Sequence, residues 1–72
     1  LKIIFRQAVK RNASAVILAH NHPSRKADPT DADIRATREA IKTGEALDLK
    51  LLDHIIVSDA VFSMKRSSTV DF

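Results

Sequence analysis

The chain has 72 residues, 12 of them basic and 9 acidic, so it can form one small domain with a net charge of +3. It has no cysteine, which excludes disulfide staples and thiolate metal sites and suits a reducing cytoplasm. The apolar runs Ala15–Ala19 and Ile55–Val57 are far too short to span a bilayer, and the first residues, alternating charge and apolarity, form no signal-peptide core.

Leu1 to about Asn12 predicts a helix. Ile4, Phe5, Ala8 and Val9 share one stripe, while Lys2, Arg6 and Lys10 recur on another. Ala15 to Ala19 is apolar without alternation and carries Val and Ile, the pattern of a strand covered on both faces. Asn21 to Pro29 holds both prolines, Ser24 and Asp28, and predicts a loop. Thr30 then caps a second helix that runs to about Gly44–Leu47, with Ile34, Thr37 and Ile41 on its inner side. Leu51 to Ser58 predicts a second strand, Ser58-Asp59-Ala60 a turn, and Val61 to Lys65 a third strand. From Arg66 onward a polar, frayed tail is expected. The order is α-β-loop-α-β-β in one α/β domain spanning residues 1–72. Because the chain starts at Leu1 and not Met, it is expected to be a piece of something longer.

One pattern speaks about chemistry: His20-Asn21-His22, then Thr30 and Asp33, or His-x-His-x7-Thr-x-x-Asp. In a strand, His20 and His22 point to the same side. Asp33 falls in the first turn of the next helix, where the loop can bring it back towards them. Two imidazoles and a carboxylate suit one divalent cation, with zinc the best match and one position left for water. The Thr30 hydroxyl, one turn before Asp33, is placed to hydrogen-bond a bound water or a developing oxyanion, which makes it the candidate catalytic residue. Helix capping alone also explains Thr30 and Asp33, and His-Asn-His-Pro alone could be a polar turn.

Other polar residues carry weaker readings. His54 is either a third nitrogen ligand or a strand histidine bonded to a neighbouring backbone group or to Asp53. Arg25 and Lys26 could meet a carboxylate or phosphate, or could simply be solvated. The mild basic excess permits an anionic partner without demanding one, and three Phe with no Trp or Tyr leave few platforms for stacking single-stranded nucleic acid.

The stretch His20 to Asp33 resembles the JAMM (MPN+) metalloprotease motif, His-x-His-x7-Ser-x-x-Asp. More narrowly, the chain resembles the RadC-like bacterial branch of that superfamily. The match is carried by Ala19-His20-Asn21-His22-Pro23-Ser24, Asp33-Ile34, Leu52-Asp53-His54-Ile55-Ile56 and Phe62-Ser63, spread from about Phe5 to Ser63. The resemblance implies a JAMM/MPN-like, cytidine-deaminase-like α/β core, incomplete at the N-terminus, with His20, His22 and Asp33 on zinc. Thr30 would replace the family's Ser, retaining the hydroxyl. Active members of the superfamily hydrolyse peptide or isopeptide bonds, and RadC-like proteins carry a DNA-repair label.

There are two departures from the family pattern. Arg25 stands where the family usually has Gly after Pro-Ser, and Arg lacks that backbone freedom. The superfamily's general base is a Glu on a strand upstream of the helix before His-x-His. This chain begins at that helix, and Glu39 and Glu45 match no catalytic position. Weak or absent hydrolysis is therefore expected of the fragment, along with an open sheet edge at Ala15–Ala19 that invites dimerisation or strand exchange. The alternatives to a metallohydrolase are a non-catalytic scaffold of the same fold and a nucleic-acid-associated module.

Overall fold

Helix α1, Lys2–Lys10, forms because Phe5 and Ala8 recur on one side and bury together. The computed structural model describes residues 2–22 and 27–72. The helix ends where Asn12 adopts φ 55°, in the left-handed region that Asn tolerates. Ala13 N–H then donates to Ala8 O and Asn12 N–H to Val9 O, each at 3.0 Å, which satisfies the last carbonyls in a Schellman arrangement. The predicted apolar stripe divides: Phe5 and Ala8 enter the core, whereas Ile4 and Val9 stay exposed.

The strand β1, Ala15–Asn21, is followed by helix α2, Asp31–Ala46; the loop expected from Asn21 to Pro29 lies partly outside the described residues, and Asn21 itself belongs to β1. Strands β2, Lys50–Val57, and β3, Val61–Ser63, follow. They make a mixed sheet in the order β1-β2-β3, with β1 parallel to β2 and β3 antiparallel to it. This is the α/β architecture and element order expected from the sequence. The β1–β2 register shifts between Val16 and Ile17, after which Leu18 lies opposite His54 and His20 opposite Ile56. That register places the end of β1, His20 and Asn21, beside the end of β2, Ile56 and Val57, and the candidate site depends on it.

Helix α2 packs its Thr37–Ala40–Gly44 side inward. At its C-terminus Asp48 takes φ 57° and Leu49 N–H donates to Gly44 O at 2.7 Å, the same closure as in α1. The chain passes so close that a Cβ on Gly44 would lie 2.2 Å from the Leu49 carbonyl oxygen, so only glycine fits there. One core group joins Phe5, Ala8, Leu18, Ala40, Leu49 and Leu51. A second joins Ile56, Met64 and Val70, with Ile41 and Phe72 packed against both.

The structure corrects three expectations. β1 is not covered on both faces: Leu18 is buried on one side, whereas Ile17 on the other is 59% exposed. β3 stops at Ser63, since Met64 turns inward to be fully buried. The residues after Arg66 are not a frayed polar tail. Thr69 N–H donates to Met64 O at 3.1 Å, Ser68 takes φ 58°, and the resulting turn returns Val70 to the core, where it is only 5% exposed. No helix among the described residues is long and apolar enough to cross a membrane.

Candidate metal centre

The C-terminal end of β1 brings His20 and His22 to one side of the sheet. His22 lies just past the strand, but its N–H still donates to Val57 O at 3.0 Å, so the β1–β2 pairing extends to it and holds it in place. The two imidazole centroids are 4.9 Å apart.

Asp33 reaches them from the first turn of α2. Thr30 is the N-cap, in extended conformation. Its hydroxyl oxygen accepts from Asp33 N–H at 3.1 Å, and its own N–H donates to Asp33 Oδ2 at 2.8 Å, which completes a capping box. That same Oδ2 lies 2.9 Å from His22 Nε2, and Oδ1 lies 3.3 Å from His20 Nε2. The cap thus aims the carboxylate at both histidines. Burial pushes the Asp33 carboxyl up, but the Thr30 amide and side chain, the charge of His20 and the contact with His22 together outweigh it. Its pKa is held below the ordinary 3.8.

His20, His22 and Asp33 each offer one ligand atom, and these atoms lie within 4.8 Å of one another. Two donors on a tetrahedral zinc, each about 2.1 Å from the ion, would stand about 3.4 Å apart. The 3.3 Å between His20 Nε2 and Asp33 Oδ1 matches that spacing, and small side-chain adjustments would close the rest. The donor set of two imidazoles and a carboxylate is chemically suited to such an ion. The His20 side chain keeps 33% of its exposure, so the centre can be reached from solvent.

Accepting from Asp33 N–H occupies a lone pair of the Thr30 hydroxyl and not its hydrogen, which can still be donated. Capping and oxyanion stabilisation are therefore compatible in one residue. Arg25 and Lys26 lie outside the described residues. Glu39 lines the groove between α1 and α2 with Phe5 and Val9, and Glu45 stands at the far end of α2, so neither joins the cluster.

His54 is a strand histidine bonded to Asp53, one of the readings the sequence suggested, but through its backbone, while its ring has other partners. Its ring is not bonded to Asp53 and does not join the ligand cluster. Nε2 lies 2.7 Å from His20 Nδ1, the nitrogen on the far side of that ring from Asp33, and Nδ1 lies 2.5 Å from Thr37 Oγ1. The backbone N–H of His54 donates to Asp53 Oδ1 at 2.7 Å. Burial pushes the His54 pKa down from 6.5 and the charge of His20 adds to this, against an opposite pull from Asp33 and Asp53. Sequence reasoning missed the role of Thr37. The available signal was a histidine inside an apolar strand, which must find ring partners once buried.

The fold and the cluster together define a class: a small α/β domain with a mixed-ligand, His-x-His and carboxylate centre at a strand end. Comparison with known proteins narrows this. A family model described as RadC-like JAB domain matches residues 1–69. A UPF0758 protein of Alkaliphilus oremlandii is 46% identical over 68 residues, covering 93% of this chain and 29% of that protein. A UPF0758 protein of Chloroflexus aggregans is 39% identical over 69 residues, covering 96% of this chain and 30% of that protein. Another, of Alkaliphilus metalliredigens, is 46% identical over 66 residues, covering 90% and 28%. The chain belongs to the RadC-like JAB domain family. It spans less than a third of the length of these curated relatives.

Proposed function

We propose that this domain carries the metal centre of a zinc-dependent hydrolase acting on an amide bond, of peptide or isopeptide type. The observation that carries the proposal is the convergence of His20 Nε2, His22 Nε2 and the Asp33 carboxylate at the end of one strand and the start of one helix. These three would hold the metal, and zinc would supply Lewis acidity towards a carbonyl group and a water molecule. In this reading Thr30 keeps Asp33 turned towards the histidines and donates its hydroxyl hydrogen to the oxygen that gains charge.

In this reading the general base comes from outside these 72 residues, because the two glutamates, Glu39 and Glu45, stand away from the cluster. A positioned base contributes about 10²–10⁴-fold, so the chain alone is proposed to bind zinc and hydrolyse weakly at most. We further propose a second copy of the chain as a partner, paired along the outer edge of β1.

Metal analysis and calorimetric titration test the centre. One zinc per chain is expected, with binding lost in His22→Ala and Asp33→Ala. A folded protein that takes up no zinc, or binds it equally well in both variants, would overturn the proposal. Sedimentation across micromolar concentrations tests the pairing, and a monomer throughout would remove it.

A further inference from the structure

Behind the ligand cluster lie two buried polar side chains that the proposed function does not use. Thr37 is fully buried and His54 is 6% exposed. Thr37 Oγ1 stands 2.7 Å from the Asp33 carbonyl oxygen, 3.2 Å from Met64 Sδ and 2.5 Å from His54 Nδ1. His54 Nε2 then stands 2.7 Å from His20 Nδ1.

Counting hydrogens gives this row a direction. A threonine hydroxyl has one hydrogen to donate, and both a carbonyl oxygen and a thioether sulfur can only accept. Of the three neighbours of Thr37 Oγ1, only His54 can supply a hydrogen. With the hydroxyl donating to the Asp33 carbonyl, the usual back-bond of a threonine within a helix, it accepts from His54 Nδ1–H. A neutral His54 with its hydrogen on Nδ1 has a lone pair on Nε2. That lone pair accepts from His20 Nδ1–H. The other nitrogen of His20, Nε2, is left with a lone pair facing Asp33 Oδ1 at 3.3 Å. Two acceptors facing each other call for a cation between them.

We propose that Thr37 and His54 are positioning residues that fix the tautomer and orientation of His20, so that its Nε2 is offered to a divalent cation. This rests on the metal-centre reading above. The opposite tautomer of His54 would donate from Nε2, put the hydrogen of His20 on its Nε2, and close that nitrogen to a metal. The Thr37 back-bond, anchored on the carbonyl of Asp33, disfavours it. The relay thus begins at one ligand side chain and ends on the main chain of another. Groups that orient a metal-binding histidine in this way typically govern affinity by about 10–100-fold.

The test uses Thr37→Val, which removes the hydroxyl at nearly constant volume, and Thr37→Ser, which keeps it. Long-range proton–nitrogen correlation spectra of the metal-free protein at about pH 8, where ordinary imidazoles are neutral, report which ring nitrogens carry hydrogen. His20 and His54 are both expected as the Nδ1–H form in the natural chain and in Thr37→Ser, and as tautomer mixtures in Thr37→Val. Zinc affinity, read by competition with a chromophoric chelator, is expected to fall about 10–100-fold in Thr37→Val and to be restored in Thr37→Ser. A His20 with its hydrogen on Nε2 in the natural chain overturns the proposal, and that result needs no variant to fold. So does a folded Thr37→Val with unchanged tautomers and unchanged affinity. Expected tautomers in a chain that binds no zinc would support the relay and remove the metal function, so the two readings fail separately.

Discussion

Thr30 and Asp33 hold each other across the first turn of α2, and the Asp33 oxygen that takes the Thr30 amide, at 2.8 Å, is the one that faces His22 at 2.9 Å. Helix capping and metal ligation look like competing explanations of an acid at a helix start. Here one carboxylate can serve both, because its two oxygens and several lone pairs accommodate an amide and two imidazoles together.

The two roles separate by mutation. Thr30→Ala removes the side-chain acceptor for Asp33 N–H and should cost about 1 kcal/mol of stability in thermal or denaturant unfolding, whereas Thr30→Ser should recover it. Zinc affinity should weaken in Thr30→Ala beyond what the stability loss explains, because the carboxylate loses its orientation. Equal affinities in the natural chain and Thr30→Ala would show that the cap does not position Asp33.

Asp53 offers an acid-sensitive element away from the ligand cluster. Its Oδ1 accepts from His54 N–H at 2.7 Å and Lys65 N–H at 3.1 Å, and its Oδ2 accepts from the Ser63 hydroxyl. Burial pushes its carboxyl up, but Ser63, the Lys65 and His54 amides and the Lys65 charge outweigh that and hold the pKa below 3.8. The unfolded chain therefore binds a proton at higher pH than the folded one. The stabilisation is fully present above the unfolded value and is lost as pH falls through the folded one. Asp53→Asn should flatten the unfolding free energy against pH below about pH 4. An unchanged acid slope in that variant would refute the assignment.

Gly44→Ala places a methyl group against the Leu49 carbonyl at a separation of 2.2 Å, where backbone must move. Helix propensity alone favours alanine by about 1 kcal/mol. Overpacking costs about 1–3 kcal/mol, and more when backbone rather than a side chain must yield, so the clash should win and the chain should be destabilised. A stabilised Gly44→Ala in denaturant unfolding would contradict the close approach.

Val70 closes the second core group against Ile56 and Met64. Val70→Ala should lose about 2 kcal/mol from two buried methyl groups and the space they leave. An effect near zero would return residues 66–72 to the frayed tail that their polarity suggests.

That tail shows where sequence reading stops. Local patterns identify both helices, because the Thr30 cap and the inward Thr37 and Ile41 depend only on neighbours within a turn or two. They also place β1 and β2, whose apolar and β-branched runs hardly fit anything else. The cluster that could hold a metal is legible for the same reason, since His20, His22 and Asp33 lie on adjacent elements and their spacing is short. Long-range pairings leave no such trace. Nothing local tells that Ile17 faces out while Leu18 faces in, because alternation along β1 does not say which side will be covered, nor that the β1–β2 register shifts after Val16. The same shift sets Leu18 opposite His54 and so brings the His54 ring behind His20. Val70 reads as an isolated apolar residue until the left-handed turn at Ser68 carries it back.

The candidate ligands bracket the segment between β1 and α2, with His22 and Asp33 separated by eleven positions. An ion gripping both ends would act as a clasp, in a chain with no cysteine to make a covalent one. Loading the centre would then slow proteolytic cleavage between His22 and Asp33. A change in proteolytic rate on adding zinc would report occupancy without any knowledge of the substrate.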